Sequence, residues 1–204
     1  KHCCREHNRE LFSLALGGYG LFGIILDVDL HVVANETYRL EQHIVPVDKS
    51  LATFDNKITS KPGLEMVYAR MNIVPENLLD EVMLNAFYRI PDNEENDHAA
   101  DNELVEPGLI QLRRAVFRGS AESDFGKKLR WNAETKLQPT LKDKTISRNQ
   151  LFNESVEVFE NRTTDTTDIL HEYFVPRHRA ARFVKTMRNV LQKHEPNLLN
   201  VTVR

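Results

Sequence analysis

The stretch Leu64-Glu65-Met66-Val67-Tyr68-Ala69-Arg70-Met71-Asn72-Ile73-Val74, then Pro75-Glu76-Asn77, then Glu81-Val82-Met83-Leu84-Asn85-Ala86-Phe87-Tyr88-Arg89-Ile90, decides the fold. Two strand-length runs split by a turn signal predict paired strands, and Lys61-Pro62-Gly63 marks the turn before them. Upstream, Thr37 to Val47 predicts another strand that ends at Pro46. Asp48 then reads as the N-cap of a short helix with Leu51, Phe54 and Ile58 at helical spacing. Before these, Ile24, Leu26, Val28, Leu30 and Val32 alternate with Asp27, Asp29 and His31, which predicts a strand over Ile24–Val33. Downstream, Leu109–Phe117 and Ser123–Leu137 read as helices, the second carrying the only tryptophan, Trp131. The last third predicts a strand at Ile169–Val175, a break at Pro176, a helix over Arg177–Lys193 and a strand from Leu198 to Val203. Ala180, Phe183, Val184, Met187, Val190 and Leu191 line one face of that helix. The expected class is α+β: an antiparallel-rich sheet from about Thr37 onward, flanked by helices.

Composition narrows the function classes. The chain has 204 residues, 41% hydrophobic and 28% charged, enough to bury a core without staples. Lys and Arg number 27 against 30 Asp and Glu, a net charge of −3, which argues against a nucleic-acid footprint. No apolar run approaches the roughly 20 residues of a membrane helix. Lys1-His2-Cys3-Cys4-Arg5 lacks the pattern of a signal peptide, so a cytoplasmic location is expected, with a membrane-associated or periplasmic one as the alternative. Adjacent Cys3 and Cys4 make neither a disulfide framework nor a spaced metal site. Asp92 to Pro107 is strongly acidic and reads as a solvated loop without EF-hand spacing. Glu10 to Leu16 reads as a short helix packed on more than one side. Position 1 is not Met and Leu198–Val203 runs to within one residue of the end, which together suggest a piece of a longer protein.

Few motifs carry chemistry. Gly17-Gly18-Tyr19-Gly20-Leu21-Phe22-Gly23 follows a helix and opens a strand, the reverse of a dinucleotide-binding fingerprint, and it lacks the Gly-Lys-Ser/Thr of a phosphate loop. It serves either as a packing turn or as backbone open to close approach by a ligand. The eight histidines show no His-x-x-x-His pair, which disfavours a helical zinc site. There is no Gly-x-Ser-x-Gly elbow. The sequons at Asn35, Asn153, Asn161 and Asn200 read as chance matches. In His171-Glu172-Tyr173-Phe174-Val175-Pro176 polar residues interrupt an apolar strand, with His171 and Tyr173 on one face and Glu172 on the other. They form either a structural network or a substrate-binding face.

Taken together, Leu11-Phe12 with Leu16–Ile25, Ser147–Leu151 with Glu160-Asn161-Arg162, Asp168–Pro176 and Asn197–Arg204 resemble bacterial FAD-linked oxidases. These are PCMH-type flavoproteins of the vanillyl-alcohol-oxidase superfamily, near the sugar-lactone, alditol and decaprenylphosphoryl-ribose oxidases. The resemblance implies residues 1–35 as the C-terminal end of an FAD-binding domain and 36–204 as an incomplete substrate-binding (cap) domain. Gly17, Gly18, Gly20, Gly23, Ile24 and Ile25 would then face the cofactor. Glu172 or His171 would hold or deprotonate the substrate hydroxyl, while Tyr173, Asn200 and Arg204 would bind others. The implied reaction oxidises a sugar, alditol or lactone alcohol by hydride transfer to flavin N5. This chain holds no pyrophosphate-binding loops, so it is expected to retain little FAD. If the glycine segment is only a turn, the alternative is a non-catalytic α+β module that binds a ligand or a protein.

Overall fold

The computed structural model describes residues 1–91, 104–105, 108–121, 123–137 and 145–204. The expectation of a solvated acidic loop falls on residues outside this set, apart from Leu104 and Val105. The chain forms two compact units, Lys1–Ala34 and Asn35–Arg204.

In the first unit, helix α1 (Arg9–Ala15) buries none of its side chains, so the expected packing on more than one side is not found. Gly17 ends it with φ +69°, where a Cβ would be strained, and the Gly18 amide returns to the Ala15 carbonyl at 3.2 Å. The strand expected over Ile24–Val33 does not form. The segment pairs with no strand among the described residues, and Ile24 and Leu26 stand 89% and 90% exposed. Alternation creates an apolar face, but a strand is held by its ladder, and here the backbone groups have no ladder to join.

The second unit is an α+β fold built on a five-stranded antiparallel sheet in the order β4-β1-β3-β2-β5. Its strands are β1 (Thr37–Pro46), β2 (Leu64–Met71), β3 (Glu81–Arg89), β4 (Thr145–Ser147) and β5 (Thr202–Val203). β1 runs along β3 from Tyr38 opposite Arg89 to Pro46 opposite Glu81. β2 stops at Met71 because buried Asn72 begins the connection to β3. The Asn72 side-chain oxygen accepts from the Val74 amide at 2.9 Å, and its carbonyl accepts from the Leu79 amide at 2.8 Å. That closure holds buried Leu79 at φ +56°, a strained conformation for a leucine.

A bulge explains how β2 serves the core. Leu64 lies opposite Tyr88 while Met66 lies opposite Phe87, so the register shifts at Glu65. Leu64 thereby joins Val67, Ala69 and Met71 on one face. There Val82, Leu84, Ala86 and Tyr88 of β3 pack with Ile58, Leu79 and Val184. Asp48 is not an N-cap. It lies within a 3₁₀ turn, Val47–Lys49, that leads into α2 (Ser50–Thr53) and a π-helical turn, Phe54–Ile58, with no side-chain cap.

The opposite face of β3 carries Met83, Asn85 and Phe87, and it too is buried. Near it lie α3 (Ile110–Ala121) and α4 (Asp124–Asn132), the latter capped by Ser123, whose hydroxyl oxygen accepts from the Gly126 amide at 3.0 Å. α5 (Arg148–Leu151) follows β4. α6 (Ala180–His194), entered through a 3₁₀ turn at Arg177–Arg179, lays Val184, Met187 and Leu191 on the core. Ile169–Val175 forms no strand, and the strand expected over Leu198–Val203 shortens to Thr202–Val203. Among the described residues no helix is long and apolar enough to cross a membrane.

Candidate functional site

The inner sheet face toward α4 is unusually polar at its centre. Register places Gln42 of β1 opposite Asn85 of β3, and Asn85 opposite Tyr68 of β2. Asn85 is 2% exposed, in a run that is otherwise apolar. Gln42 Nε2 donates to Asn85 Oδ1 at 2.9 Å, which leaves Gln42 Oε1 and Asn85 Nδ2 buried without a partner among the described residues. Each such atom costs on the order of 1–3 kcal/mol, so their retention asks for a reason.

Two residues along β2 from Tyr68, Arg70 extends the cluster. Its Nη1 donates to Glu134 Oε1 at 2.8 Å and its Nε to Asn200 Oδ1 at 3.2 Å. Arg130, one turn before Glu134, donates from Nε to the same Oε1 at 3.0 Å and from Nη1 to the Leu199 carbonyl at 3.0 Å. Glu134 Oε2 is left buried and unpartnered among the described residues. Glu134 sits in a π-helical turn, Ala133–Leu137, that continues α4, a local geometry common at functional sites. Burial pushes the Tyr68 phenol above its ordinary 10.0, with Arg70 opposing the shift and Glu134 adding to it. Tyr68 therefore stays protonated near neutral pH and can donate a hydrogen bond.

A cavity of about 290 Å³ opens on this same face. Its wall includes Ile44, two residues from Gln42, and Thr135, next to Glu134, together with Trp131, Asn72 and Lys128. A ligand there would meet the amides of Asn77 and Asn132, the Thr135 hydroxyl and the carboxylates of Glu76 and Glu81. That set suits a polyhydroxylated molecule. A second cavity, of about 330 Å³, lies between α3 and residues 160–168. Its charges are already matched: Arg118 with Asp168 at 2.7 Å, Arg114 with Glu160 at 3.3 Å.

The residues singled out in the sequence divide into three groups. Asn200 belongs to the polar cluster through Arg70. His171, Glu172, Tyr173 and Arg204 gather near β5: Glu172 pairs with Arg204 at 3.5 Å, while the His171 and Tyr173 rings stack at 6.2 Å. The expected alternation thus survives without a strand, because an extended backbone sends successive side chains to opposite sides whether or not it is paired. Tyr173 also leans on Phe183 at 5.4 Å. The Glu172 and Arg204 side chains are 58% and 76% exposed. Gly17, Gly18, Gly20, Gly23, Ile24 and Ile25 all lie in the first unit. Gly17, Gly20 and Gly23 have positive φ with open space where a Cβ would point. Gly18 instead needs to be glycine, since a Cβ there would meet the Leu14 carbonyl oxygen at 2.2 Å.

Gln42, Tyr68, Arg70, Asn85, Arg130 and Glu134 are not singled out by motif or resemblance. The signal available in the sequence was Asn85, a lone amide inside Val82–Tyr88. Among the described residues no group of His, Cys, Asp and Glu is arranged to hold a metal ion. No family model matches the chain, and comparison with curated proteins and with solved structures finds no match.

Proposed function

We propose that the chain forms the substrate-side part of an FAD-dependent oxidoreductase that acts on the CH–OH group of a sugar, alditol or lactone. The observation that carries this reading is the polar wall of the 290 Å³ cavity, with the Asn77 and Asn132 amides, the Thr135 hydroxyl and the Glu76 and Glu81 carboxylates. A small hydroxylated ligand finds donors in the amides and acceptors in the carboxylates along that wall.

FAD, when bound, supplies the hydride acceptor. Open backbone at Gly17, Gly20 and Gly23, with exposed Ile24 and Ile25 beyond, suits contact with such a group. The roles within the second unit follow from position. The Asn77 and Asn132 amides and the Thr135 hydroxyl orient substrate hydroxyls, and Arg70 holds Asn200 in place. Glu172, 3.5 Å from Arg204, is the carboxylate that holds or takes the proton of the oxidised hydroxyl, with His171 and Tyr173 beside it. The exposure of Glu172 and Arg204 favours a second reading, a non-catalytic module that binds the same ligand without oxidising it.

Trp131 lines the cavity and is the sole tryptophan, so its fluorescence reports occupancy. Titration with glucitol and with gluconolactone is expected to give saturable binding that weakens about tenfold in Asn132→Leu, the loss of one well-placed hydrogen bond. Absence of saturation with either ligand overturns the site. Flavin absorbance and polyol oxidation in the oxidoreductase of which the chain would be the substrate-side part, measured with both domains present, separate that reading from the binding module.

A further inference from the structure

The connection between β2 and β3 supplies much of the 290 Å³ cavity's wall. Asn72, Val74, Glu76 and Asn77 lie on it, and Glu81 opens β3 at its far end. Glu76 and Asn77 are exposed, so a ligand reaches them. The shape of this connection is not one a chain adopts freely. Fully buried Leu79 sits at φ +56°, in the left-handed region that crowds the Cβ of an L-residue. Within the connection, the Asn72 amide donates to the Glu81 carbonyl at 2.9 Å and the Leu79 amide to the Asn72 carbonyl at 2.8 Å.

From outside, α6 grips the same strained residue. Arg188 Nη2 donates to the Leu79 carbonyl at 2.6 Å and lies 2.5 Å from Asp80 Oδ1. The hold passes directly to the cavity wall, because the Asp80 amide donates to the Asn77 carbonyl at 3.1 Å. Val184, one turn before Arg188, packs in the core with Met187 against it, so the guanidinium extends from a fixed support. Arg188 is not part of the cavity wall.

We propose that Arg188 is a positioning residue for this site, setting where Glu76, Asn77 and Glu81 stand and hence how tightly the hydroxylated ligand is held. The inference rests on the function proposed above. Hydrogen bonds weaken steeply as distance and angle depart from ideal, so a shift of about 1 Å in the connection loses them while the sheet stays folded. Asn132 and Thr135 come from α4 and the turn that continues it, and their placement does not pass through Arg188.

The test is Trp131 fluorescence titration with glucitol, each protein held where circular dichroism shows it folded. Arg188→Met is expected to weaken binding about tenfold. Combined with Asn77→Ala, its effect should be smaller than the product of the two single losses, because the Asn77 amide is already displaced. Combined with Asn132→Leu, the two losses should multiply in full. A merely structural role lowers the unfolding midpoint but leaves the Kd of the folded protein unchanged. That outcome, or full multiplication with Asn77→Ala, overturns the positioning role and leaves the polyol site standing. Should Arg188→Met not fold, Asp80→Ala takes its place in the same cycles, with an expected loss of about threefold, and an unchanged Kd overturns the inference. Absence of glucitol binding by the wild-type chain overturns both readings.

Discussion

Ile24–Val33 and Thr37–Pro46 look alike as sequence, yet only one becomes a strand. Each places branched or aliphatic residues near every second position, with polar residues between. Thr37–Pro46 lies between two partners, β3 and β4, and Tyr38 is 0% exposed. Ile24–Val33 joins no ladder among the described residues, and its aliphatic side chains face water. Periodicity therefore sets which face a strand would bury, whereas a partner decides whether the strand exists.

The comparison can be strained at several points. The largest effect is expected at the centre of the paired region. Phe87, buried on β3 and stacked with Tyr68 at 5.9 Å, should cost about 3–5 kcal/mol when replaced by alanine. Urea unfolding measures this, and a loss below about 1 kcal/mol would mean that the sheet centre is not the stabilising core.

A smaller effect is expected at Tyr38. Its hydroxyl donates to Glu36 at 3.0 Å and accepts from Arg148 at 2.9 Å, tying β1 to α5. Tyr38→Phe should cost about 1–2 kcal/mol at pH 7. The same residue has a pH signature. Tyr38, Tyr68 and Tyr88 are all held above their ordinary 10.0, each chiefly by burial, with the Arg148 hydrogen bond opposing at Tyr38. Their phenols ionise earlier in the unfolded chain, so the unfolded state binds fewer protons above pH 10. Stability should be fully present below pH 10 and fall as pH rises beyond it. Denaturation midpoints between pH 8 and 11 check the sign, and Tyr38→Phe should flatten the decline. A stability that holds level to pH 11 would refute the assignment.

The smallest effect is expected in the unpaired segment. Leu26→Thr should change stability by no more than about 0.5 kcal/mol, because an exposed leucine surrenders little burial. A loss above 1 kcal/mol would show that Ile24–Val33 has a packing partner after all, and would erase the contrast with β1.

Much of the second unit was legible in the chain. β1 begins at the expected Thr37 and ends at the expected Pro46, β3 falls one residue short of Ile90, and Ser123 caps the helix it was expected to start. β2 ends three residues early because Asn72 turns the chain with its own side chain. The site was less legible. Asn200 was reached through resemblance, but Gln42, Asn85 and Glu134 meet only across register and an intervening helix. None of them has a telling neighbour in sequence.

What the sequence determined by itself was local: where glycine, proline and asparagine stop an element, which side chains alternate, and which helix face is apolar. Those properties depend on a few bonds and on near neighbours. Only the tertiary structure decided which alternating runs found partners. The bulge at Glu65 then turned Leu64 to the core side, and Arg70 and Arg130 came to share one carboxylate oxygen. Strand pairing and the desolvation of charge join residues far apart in the chain, so their outcome is set by which surfaces meet rather than by any residue's immediate neighbours.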